Sequence, residues 1–267
     1  MLIFDPAVTV PVAVLVESPE QWSQAARWAA QLSLPLTTVA DPSLARLFLA
    51  VTPLRLELRS SDPAEGGAVY VDFVAGKGGF RRQHGGGLRQ PLARAVGLRG
   101  QRSLTILDAT PGLGQDALVL AALGATVQMV ERSPVVAALL ADGLRRLAEQ
   151  SDPTGDPPLR LTVVQADARQ IWGGDSLRGL RDGPEVVYLD PMYPHREGSA
   201  LSRKEMRRLR LLVGDDSDAA DLLTVALGVA RQRVVVKRPR LAPLLGDRSP
   251  TMAIYSKNTR FDVYLTH

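Results

Sequence analysis

The chain has 267 residues, 45% of them hydrophobic and 22% charged, which suits one large α/β domain or such a domain with a smaller companion. It has no cysteine, so disulfides and thiolate metal sites are excluded, and with His84, His195 and His267 as its three histidines a histidine-based metal centre is not expected. A net charge of +4 with a pI near 9.7 suggests a polyanionic partner, although an excess of this size decides little alone.

The N-terminal run MLIFDPAVTVPVAVLVE is apolar, but Asp5, Pro6 and Pro11 interrupt it and no basic segment precedes it. It reads as the strand-bearing start of a fold, neither signal peptide nor membrane span, so a cytoplasmic protein is expected. Within it VPVAVLVE is a strand. PEQWSQAARWAAQL is a helix with Ser18 as its cap and Pro19 in its first turn. LFLAVTPLRLELR and GAVYVDFVAG read as strands, GKGGFRRQHGGG as a glycine-rich basic loop, and LRQPLARAVGL as a short helix closed by a glycine. These segments make a small α+β domain over residues 1–98.

From Ser103 strands and helices alternate. LTILDAT, ATVQMVE, LRLTVVQAD, EVVYLD and RVVVKRP are strands; GQDALVLAALG, SPVVAALLADGLRRLAEQ (capped by Ser133) and AADLLTVALGVA are helices. TMAIYSK and RFDVYLT flank Asn258-Thr259 as an antiparallel hairpin. The expected architecture is α/β over residues 99–267: a doubly wound, mainly parallel sheet of seven strands that ends in an antiparallel hairpin.

Charge is unevenly spread. No acid lies between Asp72 and Asp108, where Lys77, Arg81, Arg82, Arg89, Arg94, Arg99 and Arg102 fall, and Arg203, Lys204, Arg207, Arg208 and Arg210 are relieved only by Glu205. On charge alone, a nucleic-acid grip and a pair of solvated faces fit equally well.

In such sheets ligands bind at the carboxyl ends of the strands. Gly112, Gly114 and Ala117 satisfy G-x-G-x-x-A after the first strand, a pattern that ordinary glycine turns also produce. Acids at three strand tips narrow the choice. Glu131 suits ribose hydroxyls under a nicotinamide or an S-adenosylmethionine reading. Asp108 before the glycines suits a methionine ammonium, Asp167 an adenine amine, and Asp108 with Asp116 would repel a pyrophosphate. The bland reading is that strand-end acids cap helices.

The next strand ends in Asp190-Pro191-Met192-Tyr193. A planar exocyclic amine is a poor nucleophile because its lone pair is delocalised into the ring. The Asp190 carboxylate and the Pro191 carbonyl offer two acceptors for one NH2, favouring its pyramidal form, while Tyr193 offers a stacking face. The alternative is a proline turn. Lys237 and Arg238 line the same rim or are ordinary strand-end charges.

The runs VDFVAGKGGFRRQHGGG, DATPGLGQDALVLA, VERSPVVAALLADGL, VVYLDPMYPHREGSAL, KEMRRLRLLVG and RVVVKRP resemble the small-subunit ribosomal RNA methyltransferase J family, from about Leu47 to the end. The resemblance implies a Rossmann-like methyltransferase that transfers a methyl group from S-adenosylmethionine to N2 of a guanine in 16S rRNA, with 16S rRNA or the small subunit as partner and no metal or membrane. It implies cofactor contacts at Gln115-Asp116, Glu131-Arg132, Asp167-Ala168 and Asp190; Gln115 departs from the arginine expected there. Lys77, Arg81, Arg82 and the stretch from Arg203 through Lys204 and Arg207 to Arg210 would hold the RNA backbone, with the guanine flipped out to reach the methyl group. The rival functions are methylation of an adenine or cytosine amine in DNA or RNA, a nicotinamide oxidoreductase, and a non-catalytic RNA-binding protein.

Overall fold

Alternating apolar runs near the N-terminus pair into the first of two sheets in the computed structural model, which describes residues 10–74, 87–98, 103–149, 159–170, 183–192, 202–214 and 216–266. Strands β1 (Val12–Val16), β2 (Leu36–Thr37), β3 (Leu47–Val51) and β4 (Leu56–Ser60) lie in the order β2-β1-β3-β4. β1 pairs in parallel with β2 and β3, and β4 is antiparallel to β3. β1 and β3 are buried along their whole length, as strands covered on both faces require. Helix α1 (Trp22–Leu32) follows a short 3-10 turn that begins at Ser18 and Pro19, and it ends at Ser33 in the left-handed conformation. The Ser18 hydroxyl caps no backbone amide; it donates to Glu20 and Gln21 instead.

GAVYVDFVAG is not the strand its composition suggests. Leu58 and Val69 form one isolated bridge, exchanging N–H···O bonds of 2.7 and 2.9 Å. The ladder stops on one side where the Gly67 carbonyl is taken by the guanidinium of Arg208 and on the other where Leu56 N donates to Asp142 Oδ2 at 3.1 Å, yet Val71 and Phe73 are buried. Burial outside a strand gives the same hydrophobic signal as a strand.

The second sheet holds seven strands in the order β10-β11-β9-β8-β5-β6-β7: β5 (Thr105–Asp108), β6 (Thr126–Glu131), β7 (Leu161–Gln165), β8 (Val186–Leu189), β9 (Arg233–Pro239), β10 (Met252–Tyr255) and β11 (Thr259–Leu265). β5 to β9 are parallel, and the β10–β11 hairpin joins antiparallel to β9. The expected mainly parallel sheet and its terminal hairpin are both present. Chain order runs β5, β6, β7 to one side, then returns to β8 and β9 on the other side of β5. The loops after β5 and β8 therefore diverge, and that switch point is where sheets of this topology bind ligands.

The remaining helices are α2 (Pro91–Val96), α3 (Gln115–Ala122), α4 (Pro134–Glu149), α5 (Ser202–Val213) and α6 (Ala219–Val229). Gly97 closes α2 at φ 80°, and Ser133 caps α4, its Oγ accepting from Val136 N at 3.4 Å. Leu222, Leu223 and Ala226 of α6 pack with Leu107, Leu189, Val234 and Val236, each large side chain contributing about 1.5–3 kcal/mol of burial. Contacts divide the chain into two compact units, one bounded as Met1–Val71, Ser133–Gly143 and Pro194–Asp215, the other as Asp72–Arg132, Leu144–Tyr193 and Asp216–His267. Among the described residues no helix is long and apolar enough to cross a membrane.

The basic stretch after residue 200 is amphipathic helix α5. Arg207 is exposed, but Arg208 is 2% exposed and donates to the carbonyls of Leu58, Glu65, Gly66 and Gly67. It clamps the turn after β4 and cannot reach a phosphate, which removes it from the expected RNA grip.

Candidate active site

The second unit gathers buried ionisable side chains at the carboxyl ends of its parallel strands. β5 ends in Asp108, only 1% exposed, whose Oδ1 accepts from Thr110 N at 3.2 Å. Removal from water pushes this carboxyl well above its ordinary value, a bond from Thr110 opposes that, and the charges of Asp116 and Asp190 add to it. Gly112 and Gly114 then take positive φ of 53° and 71°, and Gly114 leads directly into α3. A β-carbon on Gly112 would meet no described atom within 4 Å, so the loop backbone borders open space in front of a helix N-terminus.

Register brings the other tip alongside. Tyr188 pairs with Asp108 on one side and Val235 on the other, and Leu189 pairs with Val236, so Asp190 lies beside Lys237. Lys237 Nζ donates to Asp190 Oδ2 at 2.8 Å and to Asp116 Oδ2 at 2.7 Å; Asp116 Oδ2 also accepts from Tyr188 Oη at 2.7 Å. Burial disfavours the charged amine of Lys237, but Asp190 and Asp116 outweigh it and raise its pKa. Asp190 is raised by removal from water, with Lys237 pulling it down and Asp116 pushing it up.

The Asp190-Pro191-Met192 backbone is pinned at both ends. Asp190 N donates to Thr110 Oγ1 at 2.5 Å and Met192 N to Asp216 Oδ2 at 2.6 Å, while Pro191 has no N–H. The loop thus uses its backbone donors inside the protein. Lys237 takes Asp190 Oδ2, and Oδ1 faces no donor among the described residues.

A second cluster joins the tips of β6 and β7. Arg132 donates to Asp216 at 2.5 Å and Asp218 at 2.9 Å; Arg169 pairs with Asp218 at 2.9 Å and with Asp167 at 2.5 Å. The Arg169 guanidinium holds Asp167 below its ordinary carboxylate value. Glu131 ends β6 8% exposed, Gln115 is exposed at the start of α3, and Ala168 is buried in the core.

The strand-end set named from sequence therefore converges: Asp108, Gly112, Gly114, Asp116, Asp190, Pro191 and Lys237 meet at the switch point, with Glu131, Arg132, Asp167 and Ala168 at the neighbouring tips. Arg238 does not join them; it is 3% exposed and donates to the carbonyl of Pro243. Tyr193, Lys77, Arg81, Arg82 and His195 lie outside the described residues, as do the side chains of Arg203 and Lys204. Thr110, Tyr188, Arg169, Asp216 and Asp218 are the participants that the sequence reading missed. Tyr188 had a signal, since it sits two before Asp190 on the strand; Asp216 and Asp218 had none, because their partners are remote in sequence.

This fold with this site defines a class, the S-adenosylmethionine (SAM)-dependent methyltransferases. Residues 28–266 match the family model described as "Putative SAM-dependent methyltransferase". The ribosomal RNA small subunit methyltransferase J of Nitrosococcus oceani is 48% identical over 95% of this chain and 98% of its own. That of Aeromonas salmonicida is 49% identical over 94% and 96%. The crystal structure of a SAM-dependent methyltransferase from Neisseria gonorrhoeae superposes with a TM-score of 0.70 at 32% identity over 96% of each chain. The chain belongs to the ribosomal RNA small subunit methyltransferase J family. The residues fit its cofactor: open space borders the Gly112 backbone, and carboxylates stand at the tips of β5, β6 and β7.

Proposed function

We propose that the protein methylates the exocyclic N2 of a guanine in small-subunit ribosomal RNA. The observation that carries this reading is that the Asp190-Pro191-Met192 loop spends its backbone donors internally, while Lys237 holds one oxygen of Asp190 and leaves the other as an acceptor. Such an acceptor recognises a group that donates, and an aromatic NH2 is such a group. The relatives' name supports ribosomal RNA of the small subunit as the substrate, and the family resemblance supports guanine.

Bound S-adenosylmethionine supplies an electrophilic methyl group. Asp108 would hold its ammonium, Glu131 its ribose, the Gly112–Gly114 backbone its carboxylate end, and Asp167-Ala168 its adenine; Gln115, Asp116, Arg132 and Asp190 are the remaining proposed contacts. Asp190 Oδ1 and the Pro191 carbonyl accept the two N–H groups of the base and hold its nitrogen in line with the methyl carbon. Lys237 favours the ionised form of Asp190, so the acceptor is charged when the base arrives. The proton released on methylation leaves along the hydrogen bond to Asp190. Tyr193 is proposed as the stacking face, and Lys77, Arg81, Arg82, Arg203, Lys204 and Arg207 as backbone contacts. Residues 1–98 are proposed as an appended α+β domain, and 99–267 as the catalytic one.

The test incubates small subunits and protein-free 16S rRNA lacking the modification with methyl-labelled S-adenosylmethionine, then digests the RNA to nucleosides. Label in N2-methylguanosine is expected. Label in a methylated adenosine or cytidine instead would replace guanine with the rival base, and no transfer to RNA would remove the substrate reading.

A further inference from the structure

β9 is parallel to β8, so the chain beyond Lys237 runs on along the rim that carries Asp190. β11 is antiparallel to β9 and starts at that rim, with Thr259 opposite Pro239, and β10 ends there, with Tyr255 opposite Arg260. The hairpin turn thus stands at the ligand end of the sheet. Arg240 is three residues beyond Lys237, roughly 10 Å along the strand.

What the rim exposes there is basic, aromatic and apolar. Tyr255 is 54% exposed and Leu241 93%. The Arg240 guanidinium carbon sits 5.4 Å from the Tyr255 ring centroid, and its Nη1 donates to the Ser256 carbonyl at 3.0 Å. Lys257 is exposed at the tip, and no acid occurs from Arg248 to Phe261. The tip is firmly built: Ser256 N donates to the Thr259 carbonyl at 2.7 Å and Arg240 N to the Asn258 carbonyl at 3.1 Å. Leu241 and Tyr255 thus stand bare beside the two cations Arg240 and Lys257.

We propose that Arg240, Leu241, Tyr255 and Lys257 form a second RNA-contact surface that grips single-stranded nucleotides flanking the target base. The inference rests on the RNA reading above and adds to it where the flanking strand lies. Tyr255 presents a ring face on which a base stacks, with Arg240 fixing the ring on its other side. Lys257 and Arg240 neutralise neighbouring phosphates, and Leu241 covers a ribose or base face. A rigid hairpin orders nothing on binding, so the contact carries little entropic cost.

The test measures methylation kinetics and equilibrium binding of a protein-free 16S rRNA fragment for the unaltered protein and for Tyr255→Ala, Tyr255→Phe and Arg240→Gln with Lys257→Gln. Tyr255→Ala should raise the KM for RNA about ten-fold, with kcat and the KM for S-adenosylmethionine unchanged, and Tyr255→Phe should restore it, because the ring and not the hydroxyl is used. The double variant should flatten the slope of log affinity against log salt by about 0.7 for each cation removed. Thermal melting and S-adenosylhomocysteine binding check that each variant is folded. RNA methylation with unchanged KM and slope in all variants overturns this surface alone. A defect seen with assembled subunits but absent with the protein-free fragment assigns the patch to a protein partner and also overturns it. If the unaltered protein transfers no methyl group to RNA, the substrate reading falls and this one with it.

Discussion

Two charged clusters stand side by side at the strand ends of the second unit, and they are built on opposite principles. In the first, Asp108, Asp116 and Asp190 gather around Lys237, and burial with mutual repulsion raises Asp108 and Asp190 above ordinary carboxylates. In the second, Arg132 and Arg169 interleave with Asp167, Asp216 and Asp218, and pairing lowers Asp167. Raised pKa values mark charge held at a cost and available to a ligand; lowered values mark charge already satisfied. The first cluster is thus suited to chemistry. The second is a clamp, which acts on the site through the bond from Met192 N to Asp216.

The largest effect should come from removing the acceptor itself. Asp190→Ala is expected to lower kcat by about 10²–10³-fold while S-adenosylhomocysteine binding stays within a few-fold. Isothermal titration beside single-turnover methylation checks both halves. Near-normal turnover would return Asp-Pro-Met-Tyr to a proline turn.

Lys237→Met strips a cation from two carboxylates at once. Asp190 then faces Asp116 and Asp216 without it, so its carboxyl rises further and a larger share is protonated at any given pH. A fall in kcat of about 10–100-fold is expected, with the acid limb of the kcat–pH profile displaced to higher pH. Lys237→Arg should restore part of the rate and move the limb back. A uniform loss with the limb unmoved would make Lys237 merely structural.

How much of this could be read from residues varies with the kind of interaction. Asp108, Glu131, Asp167 and Asp190 were legible because a strand tip is a local feature: an apolar run, then an acid. The seven strands and their mainly parallel pairing followed from alternation, and the hairpin from two strands around Asn258. Lys237 was half legible, since its strand was evident but its partner depends on register with β8. Arg208 misled, because composition cannot distinguish a solvated arginine from a buried one whose guanidinium donates to four backbone carbonyls. Val69 to Phe73 misled for a related reason: hydrophobicity reports burial, and the bridge at Val69 shows that pairing is separate.

Asp108→Asn separates stability from function within the first cluster. The raised carboxyl costs nothing below the unfolded value near 4, and the cost grows as pH rises from there to the folded value. The asparagine keeps an oxygen for Thr110 N and has no charge to bury, so its Tm should exceed that of the unaltered protein by a few degrees at neutral pH. The gap should close toward pH 4. The same change should weaken cofactor binding about ten-fold or more if Asp108 seats an ammonium group. Thermal melts across pH with parallel cofactor titration check this, and unchanged cofactor affinity would move the ammonium site elsewhere.

The smallest effect should come from the clamp, with the opposite sign. Arg169→Ala frees Asp167 and leaves Asp218 to Arg132. Asp167 is lowered in the folded protein, so its contribution to stability is present above the unfolded value and is lost as pH falls through the lower folded one. The variant should therefore melt below the unaltered protein at neutral pH and match it only in strong acid. Arg169 is 35% exposed and Asp167 22%, so solvent screening limits the pair to about 0.2–1 kcal/mol, a shift of roughly 1–3 °C in Tm. Turnover should be nearly unchanged, because Asp216 still accepts from Met192 N and the loop stays pinned. A loss in kcat comparable to that of Lys237→Met would mean that the two clusters act as one network and that the division between chemistry and clamp is wrong.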